Sequence, residues 1–105
     1  MSRDVHEHST PIDVLLRERR EEILRIAHQH GARNVRVFGS VARGEATEDS
    51  DIDLLVEAGD NTSAWFPAGL IDELETLLGR RVDIVTETSL YWLLRRRILK
   101  EARSL

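Results

Sequence analysis

Cysteine is absent from the 105-residue chain, which excludes disulfides, thiolate nucleophiles and cysteine-based zinc sites, so any metal must be held by oxygen or histidine. Long apolar runs are absent too, since none approaches the roughly 18 to 20 residues needed to cross a bilayer. Where an export signal would need a continuous apolar stretch, Met1 to Thr10 is polar and charged. A cytoplasmic location with no membrane attachment is therefore expected. A broadly basic surface is also missing, because the formal net charge is −4. That balance argues against a general nucleic-acid binder, whose affinity would rest largely on positive charge.

With 41% hydrophobic and 32% charged residues, the composition is that of a globular domain. The length fits one domain with a single core. Acidic residues crowd between Glu45 and Asp60, whereas Arg17 to Arg20 and Arg95 to Lys100 place positive charge nearer the two ends. The middle of the chain suits cations and the flanks suit anionic partners.

Residues 1–10 show no apolar periodicity and are read as a flexible leader, His6 and His8 included; residues 11–105 form the folded unit. Thr10-Pro11 makes a good helix start. Ile12, Leu15, Leu16, Ile23, Ile26 and Ala27 recur at helical spacing, which predicts one helix from about Pro11 to His30, ended by Gly31. Asn34 to Phe38 reads as a strand running into Gly39-Ser40, and a helix of one or two turns follows before Gly44. Ile52 to Glu57 is a second strand. A third helix is expected from a Ser63 cap to Leu78, with Leu70, Ile71, Leu74, Leu77 and Leu78 as its apolar face. Arg81 to Thr86 is the third strand, and a last helix should run from Ser89 to Ser104 on Leu90, Leu94, Ile98 and Ala102. This α-β-α-β-α-β-α order predicts an α/β domain with a small three-stranded sheet and helices packed against it.

Three features carry chemistry. Gly39-Ser40 lies where a strand turns into a helix, so free backbone amides can meet a phosphate and glycine allows close approach, although such a pair alone also makes an ordinary turn. Asp51 and Asp53 begin a predicted strand, where alternation sends both carboxylates to one face. Two like charges held together repel, and a hard divalent cation with oxygen ligands relieves the repulsion. A bare Asp-x-Asp would equally serve as a solvated strand entrance. Asp83 sits between Val82 and Ile84, where a simple core face would carry an apolar residue. If its strand lies beside that of Asp53, it completes a three-carboxylate cluster able to hold a second metal ion; otherwise it faces water from an edge. Arg43 is placed either to touch a phosphate or to pair with Glu45 or Glu48.

Taken together, Gly39-Ser40, the ten residues Val41 to Ser50 and then Asp51-Ile52-Asp53 resemble the signature of the nucleotidyltransferase superfamily with the polymerase-β-like fold. Ala42-Arg43-Gly44, Ser50 and Leu54-Leu55-Val56 are similar in particular to its minimal, single-domain members, and Asp83 within Val82-Asp83-Ile84-Val85 corresponds to the third carboxylate. The resemblance implies a mixed sheet and transfer of AMP from ATP with release of pyrophosphate. It further implies Asp51, Asp53 and Asp83 as catalytic and metal-binding residues for two Mg2+ ions, with Gly39, Ser40 and Arg43 on the nucleotide. Minimal members resemble antitoxins that act on a HEPN-domain ribonuclease toxin by modifying its tyrosine, and a complex with such a partner is expected. Two other readings remain open: an antitoxin that acts by binding only, and a transferase acting on RNA or a small molecule. Trp65, Phe66 and Pro67, or Tyr91 and Trp92, are either core or partner surface, and Arg95, Arg96 and Arg97 are either a solvated face or a partner contact.

Overall fold

A computed structural model describes residues 11–60, 62, 65–90 and 92–105, with the side chains of Trp92 and Leu93 left aside. Helices α1 (Pro11–Glu18) and α2 (Arg20–Gln29) replace the single expected helix. The i to i−4 ladder continues through the junction, with Arg19 N donating to Leu15 O at 3.0 Å and Ile23 N to Arg19 O at 2.9 Å. Arg19 itself opens to φ −102°, ψ 9°. The polar run from Arg17 to Glu22 separates two apolar patches, so each helix seats its own: Ile12 and Leu16 from α1, and Ile23, Ile26 and Ala27 from α2.

Strand β1 (Ala32–Phe38) starts two residues earlier than the alternation of Val35 and Val37 implies. A bulge explains the extension. Asn34 takes a left-handed φ of 51°, and the register with the next strand shifts between Arg33 and Arg36, so Ala32 reaches the same buried face as Val35 and Val37. The short helix α3 (Gly39–Ala42) then leads through a polar loop to β2 (Ile52–Ala58). Helix α4 (Ala68–Leu78) begins later than expected, after Pro67, while the proposed Ser63 cap lies outside the described residues. Its Leu70, Leu74 and Leu78 are buried, and Gly79 closes it at φ 66°, donating from its amide to Glu75 O at 2.8 Å.

Strand β3 (Val82–Thr86) and a 3₁₀ turn over Glu87–Ser89 precede α5 (Trp92–Glu101). The last helix is therefore shorter than the Ser89 to Ser104 segment, and its end is taken by a two-residue strand, β4 (Arg103–Ser104). The sheet consequently has four strands rather than three, in the order β3-β2-β1-β4. It is mixed: β1 runs antiparallel to both β2 and β4, whereas β2 and β3 are parallel. One face packs on α2 and α4 through Ile52, Leu54, Val56, Val82 and Ile84, all buried. Each such side chain, removed from water, stabilises the fold by about 1.5–3 kcal/mol. Among the described residues no helix is long and apolar enough to cross a membrane.

Candidate active site

The carboxylates sit on the opposite face of the same strands. Alternation along β2 turns Ile52 and Leu54 into the core and leaves Asp53 on the other side, half-buried. Asp83 lies directly across the parallel pair from Asp53, and Val82 and Ile84 on either side of it are core. The two strands are thus adjacent, and β3 is also an edge of the sheet with Asp83 exposed, so both descriptions offered for Asp83 hold of its position. Asp51 precedes β2 and is placed by Ile52 N donating to Arg81 O at 2.9 Å. Its own carboxylate is drawn toward Arg81, whose Nε lies 3.7 Å from Oδ1.

Asp53 feels both neighbouring carboxylates. Burial first, then the Asp83 and Asp51 carboxylates, push the Asp53 carboxyl up to about 6, against an ordinary value of 3.8. An oxygen-only donor set whose charges crowd Asp53 is suited to a hard divalent cation, which relieves the repulsion. The side chains are not closed into a ligand shell, however, since no group of three or more His, Asp or Glu converges at metal-ligating geometry among the described residues.

Opposite Asp53 on its other side is Phe38, the last residue of β1, which delivers Gly39 to the carboxylate. Gly39 has φ +73°, and a Cβ built on it would lie 2.3 Å from Asp53 Oδ2. Only glycine satisfies both conditions, so the junction lets the chain pass close beside the Asp53 carboxylate. Ser40 occupies the first turn of α3 and is half-exposed. At the other end of α3, Arg43 donates from Nε to Glu45 Oε1 at 3.0 Å and from Nη1 to both Glu101 oxygens at 3.3 Å. Of the two carboxylates expected as partners for Arg43, Glu45 rather than Glu48 is the one paired; that hydrogen bond, ahead of Glu101, raises the arginine's pKa.

Two contributors were not singled out by sequence reasoning. Arg80 donates to the carbonyls of Thr47 and Glu48, and with the Thr47 N to Ser50 Oγ hydrogen bond of 2.8 Å it holds the loop that leads into Asp51. Its position between Gly79 and β3 was the only available cue. Glu101 accepts a hydrogen bond from Gly39 N at 2.7 Å. No motif spacing announces it, because the contact joins residues 62 apart. Of the candidate aromatic surface, Trp65 is 79% exposed while Phe66 packs partly against the core; Tyr91 and the Trp92 side chain lie outside the description. Leu94 to Arg97 are exposed.

A sheet whose paired carboxylates meet a strand-to-helix glycine defines a nucleotidyltransferase, and comparison with known proteins agrees. Residues 11–105 match the family profile of the nucleotidyltransferase domain, and the chain belongs to that family, among its minimal members. The protein adenylyltransferase MntA of Thermococcus cleftensis is 42% identical over 76 residues, spanning 72% of this chain and 77% of its own. A solved structure of a candidate minimal nucleotidyltransferase superposes with a TM-score of 0.77 at 54% identity, covering 86% of this chain and 92% of the other. A chain from a toxin–antitoxin crystal structure with AMP-PNP superposes with a TM-score of 0.69, covering 80% of this chain and 69% of that one; at 23% identity this is a likeness of fold.

Proposed function

We propose that the chain transfers AMP from ATP to a tyrosine hydroxyl of a cognate HEPN-domain ribonuclease toxin, acting as its antitoxin in a cytoplasmic complex. The observation that carries the reading is the Asp53–Asp83 pair across β2 and β3, set against the backbone of Gly39. Asp51, Asp53 and Asp83 would hold magnesium, which supplies charge neutralisation to the triphosphate and the departing pyrophosphate. Gly39 N–H, the Ser40 hydroxyl and Arg43 would bind phosphate oxygens. The acceptor oxygen attacks the α-phosphorus, the bond to pyrophosphate breaks, and the hydroxyl proton passes to the Asp83 carboxylate. Alignment is the main demand of such a transfer, which is why a domain of this size suffices. The exposed Trp65 and the basic turn from Arg95 to Arg97 are surfaces for the partner, which must present the acceptor. A protein adenylyltransferase among the relatives supports transfer to a protein, and the toxin–antitoxin complex among the structural neighbours supports the antitoxin setting.

The test is intact mass of both proteins after incubation of this chain with ATP, magnesium and the product of the neighbouring gene. Addition of AMP to the partner, lost in Asp53→Asn, is the expected result. A tight complex with no change in mass would contradict transfer and leave inhibition by binding.

A further inference from the structure

Helix α5 is held unlike the other long helices. None of its described side chains from Leu94 to Glu101 is fully buried, and Leu94 is 49% exposed. Among its described side chains, Arg95 Nη1 donates to Glu87 O at 2.6 Å near one end, and at the other Glu101 binds Gly39 N and Arg43. The Glu101 side chain is only 17% exposed, so its charge is placed rather than merely solvated. It lies close enough to Asp53 to help raise that residue's pKa.

A carboxylate that accepts from Gly39 N–H and from a guanidinium makes the same interactions that a phosphate oxygen would make at those donors. We propose that Glu101 is a built-in stand-in for phosphate: in the nucleotide-free protein it occupies Gly39 N–H and Arg43, and nucleotide must displace it to bind. This inference rests on the nucleotide reading given above.

The geometry suits displacement. Strand β4, beginning two residues after Glu101, pairs with Arg36 and Val37 of β1, so the backbone stays anchored and release is a rotation of one side chain. Two physical consequences follow. While nucleotide is absent, the donors at the loop are satisfied and the loop stays shaped, which avoids the cost of orphaned polar groups. When nucleotide arrives, Glu101 competes with it and adds a negative charge beside three aspartates, so affinity is lowered and dependence on a neutralising cation is increased.

The experiment is calorimetric titration of the full chain with ATP, with and without magnesium, for wild type, Glu101→Gln and Glu101→Ala. Thermal melts confirm folding. Both variants should bind ATP about fivefold to tenfold more tightly than wild type, the ratio being larger without magnesium, because a competing charge of ordinary hydrogen-bond strength has been removed. A structural role alone would weaken binding or leave it unchanged, and either outcome overturns the proposal. In wild type, amide and carboxyl NMR signals of Gly39 and Glu101 should shift together on ATP addition; a Glu101 signal indifferent to ATP while Gly39 moves would also overturn it. Failure of wild type and both variants to bind ATP at all would instead remove the nucleotide reading, and this inference with it.

Discussion

Strand β2 turns Ile52, Leu54 and Val56 to one side, where all three are fully buried, and Asp53 to the other, where a half-buried carboxylate lies across from Asp83 and fills the space a Cβ on Gly39 would take. The first side is closed by α2 and α4 and carries no charge; the second gathers Asp51, Asp53, Asp83 and Glu101 with Arg43 as counter-charge. One strand therefore carries both a core face and the proposed site, divided by the two-residue period of its side chains. The comparison teaches that the two functions should separate under substitution.

The largest effect expected is on transfer. Asp53→Asn should lower the rate on the order of 1,000-fold, equivalent to about 4 kcal/mol of transition-state stabilisation, while circular dichroism stays native. Loss of folding in that variant would break the division between the faces. Leu74→Ala, on the core side, should cost about 3 kcal/mol of unfolding free energy in urea titration, and its folded fraction should keep the wild-type rate. Gly39→Ala crosses the divide: left-handed backbone strain of about 2 kcal/mol should appear in the melt together with loss of transfer, because the new methyl meets Asp53 Oδ2.

The smallest effect is one of pH. Folding raises the Asp53 carboxyl above its ordinary value of 3.8 to about 6, so the folded state holds that proton more firmly than the unfolded chain. The stability this contributes is present below the unfolded value and is lost as pH rises through about 6. Above that pH the ionised group costs about 1 kcal/mol once solvent screening is allowed for. Without metal, Asp53→Asn should thus melt a few degrees above wild type at pH 7.5, with the gain shrinking near pH 4. Magnesium should raise the wild-type melting temperature and leave that of Asp53→Asn nearly unmoved.

These two faces were unequally legible in the sequence. The site residues could be named because chemistry there depends on residue type at fixed spacing: Gly39-Ser40, ten residues, Asp51-Ile52-Asp53, and an aspartate inside a β-branched run. The core helix α4 could be read from the recurrence of Leu70, Leu74 and Leu78. What escaped depends on tertiary placement. The bend at Arg19 follows from two apolar patches settling separately on the sheet, and the bulge at Asn34 only becomes visible once β2 supplies a register. Strand β4 is two residues long and exists because β1 offers a free edge, so no local propensity marks it. The periodic Leu94 and Ile98 marked a helix, but not that Leu94 to Glu101 would include the charged Glu101 contact to Gly39.

The central claim is that the charged face of β2 and β3 binds metal and nucleotide together. Its most direct measurement is the titration of Mn2+, as a magnesium substitute followed by electron paramagnetic resonance, into wild type and Asp53→Asn with a non-hydrolysable ATP analogue at pH 7.5. The account predicts nucleotide-dependent Mn2+ binding in wild type, weakened by at least about tenfold in Asp53→Asn. Equal binding in the two proteins, with the fold intact, would contradict it.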